Sequence, residues 1–169
     1  MAKKEANFDL YIHGLLKDAG IDVTAQGSGV LEINNALKTA SKKQTGGIGY
    51  PEYTAIIKGY VLVIEDKPDR SKLALRSNDG MLSLNADATE NYALNGALWY
   101  AQKIIEQTNY KHVFAFGNAG DSKHHILQPL FVGESGYTAL PEVETFENYS
   151  ESNIDEYYSR VVLGKKPDE

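Results

Sequence analysis

A chain of 169 residues, 42% hydrophobic and 24% charged, has the size and balance of one globular domain with a single buried core. It contains no cysteine, which excludes a disulfide scaffold and a thiolate zinc site and fits a reduced, cytoplasmic setting. The net charge of −6 is unevenly spread: seven acids and no Lys or Arg lie between Glu134 and Glu156, so the rest is close to neutral and the total says nothing about partners.

No apolar run approaches the ~18 residues that span a bilayer, and no signal-peptide core follows Lys3-Lys4, so no membrane partner is expected. Phe8, Ile12, Leu15, Leu16 and Ala19 form one apolar stripe, which predicts a helix from about Glu5 to Ala19 with Gly20 as its stop. Glu5 stands at the N-terminal end of that inward stripe. A short helix around Leu31 to Ala40 follows, between loops marked by Gly27, Gly29, Gly46 and Gly47. Tyr53–Ile57 and Tyr60–Glu65, joined by Lys58-Gly59, read as a β-hairpin. The second run is apolar on both faces and predicts a central strand. Beyond Pro68 and a polar stretch, a long helix is expected from about Ala88 to Gln107, capped by Asp87 and buried through Leu94, Leu98, Ala101 and Ile105. His112–Phe116 reads as an internal strand ending at Gly117. Ile126–Val132 reads as an edge strand because of Pro129, another strand lies near Tyr137–Thr145, and an amphipathic helix spans about Ser152–Leu163. This order implies an α/β fold with a mixed sheet of four to five strands flanked by helices.

The hairpin has a chemical consequence. With a two-residue turn, Ile57 faces Tyr60 and Glu52 faces Glu65, while Glu65 and Lys67 share a face. Opposed carboxylates repel by about 0.2–1 kcal/mol when exposed, and more when partly buried. Lys67 can offset this, and a divalent cation can do so better. Mg²⁺ takes oxygen ligands, is commonly held by one or two carboxylates with substrate phosphate, and acidifies bound water. Glu5 can add a third oxygen. A plain hairpin with solvated end charges explains the same residues equally well.

Gly49-Tyr-Pro-Glu52, followed thirteen positions later by Glu65-Asp-Lys67, resembles the PD-(D/E)xK nuclease signature. More closely, it resembles the N-terminal nuclease domain of restriction–modification proteins, namely type I motor subunits and type IIG nuclease–N6-adenine methyltransferase fusions. Tyr92-Ala-Leu-Asn-Gly-Ala-Leu-Trp-Tyr-Ala101 and Val113-Phe-Ala-Phe-Gly117 extend that resemblance. The resemblance implies that Glu52 and Glu65 are metal ligands, that Lys67 is the catalytic lysine and that Glu5 is a further helix acid. It implies Mg²⁺ with Mn²⁺ as a substitute, double-stranded DNA as substrate, and a methyltransferase and target-recognition domain in the same or a partner chain. Residues 1–163 would form the nuclease domain and 164–169 the start of a linker. Related domains carry Gln-x-x-x-Tyr on the long helix; here Asn95, Gly96 and Tyr100 occupy that region, leaving Asn95 and Tyr100 as substrate-binding candidates.

Arg70, Lys72 and Arg76 suit either phosphate contacts or a solvated loop. Asn95, Trp99 and Gln102 suit a core stripe better than a DNA contact. Adjacent His124 and His125 would point to opposite faces of a strand and make a poor chelate. Two rival readings stand beside the nuclease: a catalytically degenerate module that binds DNA or a partner domain, and a stand-alone structure-specific nuclease.

Overall fold

The computed structural model describes residues 2–25, 28–38 and 50–165. The expected loops at Gly27, Gly46 and Gly47, the end of the short helix at 39–40, Gly49 and the linker at 166–169 lie outside them. The first helix, α1 (Ala2–Asp18), ends as its pattern predicts: Gly20 takes φ 74° and the Ile21 amide donates back to Leu16 O at 3.0 Å. It is followed by β1 (Thr24–Ala25), α2 (Leu31–Lys38), β2 (Tyr53–Ile57), β3 (Tyr60–Lys67), α3 (Ala86–Asn91), α4 (Ala93–Gln107), β4 (Val113–Gly120), β5 (His125–Gly133), β6 (Gly136–Ala139) and α5 (Ile154–Tyr157).

The strands form one sheet in sequence order. Only β3 and β4 run parallel; the other neighbours are antiparallel. Among the described residues the sheet therefore has six strands rather than four or five, the addition being the two-residue β1. Hairpin register is as expected, Ile57 opposite Tyr60 and Tyr53 opposite Ile64. Lys58 turns the corner at φ 57°, and its ammonium is held by Asp155 at 2.8 Å.

One face of the sheet, through Val61, Val63, Val113 and Ala115, packs on α2 and α4. The other, through Leu62, Ile64, Phe114 and Phe116, packs on α1 and the C-terminal segment around Phe146, Tyr149 and Ile154. β3 and β4 are consequently covered on both sides.

Four other expectations are corrected. The long helix is two helices, broken at Tyr92, whose backbone is extended (φ −122°, ψ 133°), and Asn85 rather than Asp87 caps the first, accepting from the Ala88 amide at 2.8 Å. A continuous helix would pair the Leu94 amide with Glu90 O. Instead Leu94 donates to Leu73 O at 2.8 Å, and Lys67 Nζ donates to Glu90 O at 2.8 Å, so neither group is orphaned. Second, β4 continues through Gly117. Glycine is there because α4 crosses it: a Cβ would lie 2.5 Å from the backbone of Leu94. Third, β5 is not an edge strand. Leu140 N donates to Pro129 O at 3.1 Å, and the Leu140 carbonyl that proline cannot serve accepts Gln128 Nε2 at 2.7 Å. Fourth, the last helix is one α turn continued by a π-helical segment, Tyr158–Val162. Among the described residues no helix is long and apolar enough to cross a membrane.

Candidate metal centre

The end of the sheet where β3 finishes and β2 begins gathers acids from three elements. The Glu52 amide donates to Glu65 Oε1 at 3.2 Å, one step beyond the last ladder pair, so the two residues meet where the hairpin register puts them. Strand alternation then separates the acids of β3. Glu65 and Lys67 continue the Val61–Val63 face toward α3 and α4, whereas Asp66 continues the Leu62–Ile64 face toward α1.

The tightest group lies on the α1 side. One carboxylate oxygen from each of Glu5, Asp9 and Glu52 lies within 4.8 Å of the others. Glu5 and Asp9 are one helical turn apart and share a face of α1, which is how a single helix supplies two ligands. Glu65 stands beside this trio and holds the backbone of Glu52. Of the expected ligands, Glu5 and Glu52 fall in this trio together with Asp9, and Glu65 lies adjacent.

Behind Asp9 sits Asp66, 1% exposed, whose Oδ1 accepts Asn118 Nδ2 at 3.0 Å across the parallel β3–β4 pair. Asp9 Oδ1, Asp66 Oδ2 and Asn118 Oδ1 are buried with no hydrogen-bond donor from the protein. Burial holds the Asp66 carboxyl well above the usual carboxylate range, and its closeness to Asp9 acts in the same direction. Asp9 is itself raised, first by burial and then by Glu5 and Glu65 against the opposing bond from Asp66. Glu52 is pushed up to about 7 by burial and by the charges of Asp9, Glu65 and Glu5, with Lys67 acting in the other direction. These groups raise one another's proton affinity, and hard oxygen donors of this kind suit Mg²⁺ or Mn²⁺.

Lys67 reaches the site's edge from the α3 side, its ammonium anchored on the Glu90 carbonyl that the break at Tyr92 exposes. Tyr100 is buried at 1% exposure, and burial together with nearby Glu65 and Glu52 pushes its phenol above its ordinary value. Asn95 is fully buried: its amide donates to Leu75 O at 2.7 Å and Ser83 O at 2.8 Å, and its carbonyl accepts from Leu75 N at 2.9 Å. It staples residues 75–83 to α4 and presents nothing to solvent. Lys72 lies over the Tyr92 ring at 5.0 Å and Arg76 donates to Gly80 O at 3.0 Å, while Arg70 is exposed on a short 3₁₀ turn. His125 Nδ1 donates to the Asp121 carbonyl at 2.8 Å.

Sequence reasoning missed Asp9, Asp66 and Asn118. Asp9 carried a signal, since it follows Glu5 by four residues next to the Phe8–Ile12 stripe. Asn118 carried none.

No protein-family model and no solved structure matches this chain. Across its full length it is 38% identical to the type II restriction enzyme and methyltransferase RM.BcgI of Heyndrickxia coagulans, and it spans 27% of that protein's length.

Proposed function

We propose that this chain is the Mg²⁺-dependent DNA-cleaving part of a restriction–modification protein, with a fold of the PD-(D/E)xK class and Mn²⁺ able to substitute. The observation that carries this reading is the carboxylate trio of Glu5, Asp9 and Glu52, set beside Glu65 and Lys67 at one end of the sheet. The likeness to a restriction enzyme and methyltransferase is consistent with it. By the same likeness, double-stranded DNA is the substrate, and a methyltransferase and target-recognition domain lie in the same or a partner chain.

Glu5, Asp9 and Glu52 would hold the ion, with Glu65 keeping the Glu52 backbone in register. When bound, Mg²⁺ would neutralise phosphate charge and acidify a water molecule. Lys67 supplies a fixed ammonium that favours the negative charge growing on the phosphoryl oxygens as water adds to phosphorus and the P–O bond breaks. Asp66 and Asn118 brace Asp9 from the interior. Hydrolysis by water then proceeds without a covalent enzyme intermediate.

Plasmid cleavage in Mg²⁺ by the parent chain, Glu52→Gln, Glu65→Gln and Lys67→Ala tests this, with folding checked by circular dichroism. Each folded variant is expected to lose on the order of 100-fold or more in rate. Undiminished cleavage by any of them contradicts the reading; DNA binding without cleavage by the parent would leave only a binding module.

A further inference from the structure

Beyond the carboxylate trio, the C-terminal ends of the parallel pair β3 and β4 open into a cleft of about 600 Å³. In parallel sheets such crevices are where ligands enter. Glu5, a member of the trio, lines one wall, so the cleft borders the candidate metal centre. Its rim carries Lys4 from α1 and Arg70 from the turn after β3, and Lys123 from the turn after β4 lines the adjoining depression. All three side chains are exposed.

The acids on the same rim are already committed to backbone. Asp69 accepts from the Ser71 amide at 2.9 Å and its hydroxyl at 2.8 Å, and Asp121 accepts from the amides of Lys123 and His124 at 2.8 Å each. Both are held below the usual carboxylate range mainly by these bonds. They fix the two turns. Gly120 closes the second turn at φ 128°, where a Cβ would run into the His124 carbonyl. By contrast Lys4, Arg70 and Lys123 make no side-chain hydrogen bond or ion pair among the described residues. Cations without an ion-pair partner among the described residues, set around a crevice, are suited to an anion.

We infer that this cleft holds the backbone phosphates of duplex DNA on one side of the scissile position, through Lys4, Arg70 and Lys123. The inference rests on the nuclease reading for its substrate and adds the surface that seats it. A run of phosphates matches cations arriving from three directions better than a single small anion does, and phosphate contacts set the register of a duplex without reading its sequence.

The test is fluorescence anisotropy of a labelled duplex with the full chain in Ca²⁺, repeated over a range of salt. For Lys4→Ala/Arg70→Ala/Lys123→Ala, the slope of log affinity against log salt is expected to flatten by about 2.7, from roughly 0.9 per phosphate contact. The charge-preserving Arg70→Lys should keep the parent slope, and Lys103→Ala, whose ammonium lies over the Trp99 ring at 4.8 Å on α4, should keep it too. An unchanged slope in the triple variant, or equal flattening per charge by Lys103→Ala, overturns the cleft. If Mg²⁺-dependent cleavage persists in that case, the nuclease reading survives it. A flattened slope in a chain that cleaves nothing supports the cleft and overturns the nuclease reading instead.

Discussion

Asn95→Leu separates a structural from a substrate-contacting role for a residue at which sequence and structure point in different directions. Leucine nearly conserves volume and helix propensity, so the change removes chiefly three hydrogen bonds, those to Leu75 N, Leu75 O and Ser83 O. Each is worth about 0.5–1.5 kcal/mol net, and a partner left buried and unsatisfied costs about 1–3 kcal/mol. Leu75 and Ser83 are only partly buried, so water re-pairs some of these groups. The resulting loss is about 2–4 kcal/mol, which at about 2–4 °C per kcal/mol for a domain of this size lowers Tm by roughly 4–16 °C. Hydrogen exchange should quicken at the amides of residues 75–83 before the rest of the chain. DNA affinity measured well below Tm should stay within about twofold. A variant of normal Tm with sharply weakened DNA binding would refute this assignment and return Asn95 to the substrate.

Gly117→Ala places a methyl group 2.5 Å from the Leu94 backbone, so α4 must move off β4. Thermal unfolding should show a loss of about 1–3 kcal/mol or more, as overpacking does, and an unaltered Tm would mean that the helix yields freely. Without divalent cation, pH should matter in a defined direction. The folded-state pKa of Glu52, about 7, lies above its ordinary value of 4.5, so the native state binds its proton more tightly than the unfolded chain. Stability from this group is therefore greatest below pH 4.5 and falls as pH rises through about 7. Added Mg²⁺ or Ca²⁺ should raise Tm more at pH 8 than at pH 5, because the cation takes the ionised form. Equal stabilisation at both pH values would contradict this.

What could be read from the chain was what local rules control. The hairpin register followed from a two-residue turn between β-rich runs, and it carried the meeting of Glu52 with Glu65. The α1 stripe and the doubly buried β3 followed from periodicity. What escaped depended on partners distant in sequence. The break at Tyr92 is stable because Leu73 O and Lys67 Nζ take over the backbone groups it frees, and nothing within residues 88–107 announces that. Pro129 marks an edge by local rules, yet Gln128 substitutes for the missing amide. Asp66 points away from Glu65 by simple alternation, yet its role depends on meeting Asp9 from a helix more than fifty positions earlier. Asn95 resembled a substrate residue because of its place in a motif; its burial assigns it to the fold.

The central claim is that acids from α1 and from the start of β2 together form a cation site. Calorimetric titration of Mn²⁺ into the parent chain, Asp9→Asn and Glu52→Gln tests it most directly. The parent should show a saturable site, with each substitution weakening binding on the order of tenfold or more. Identical isotherms for all three chains would contradict the claim.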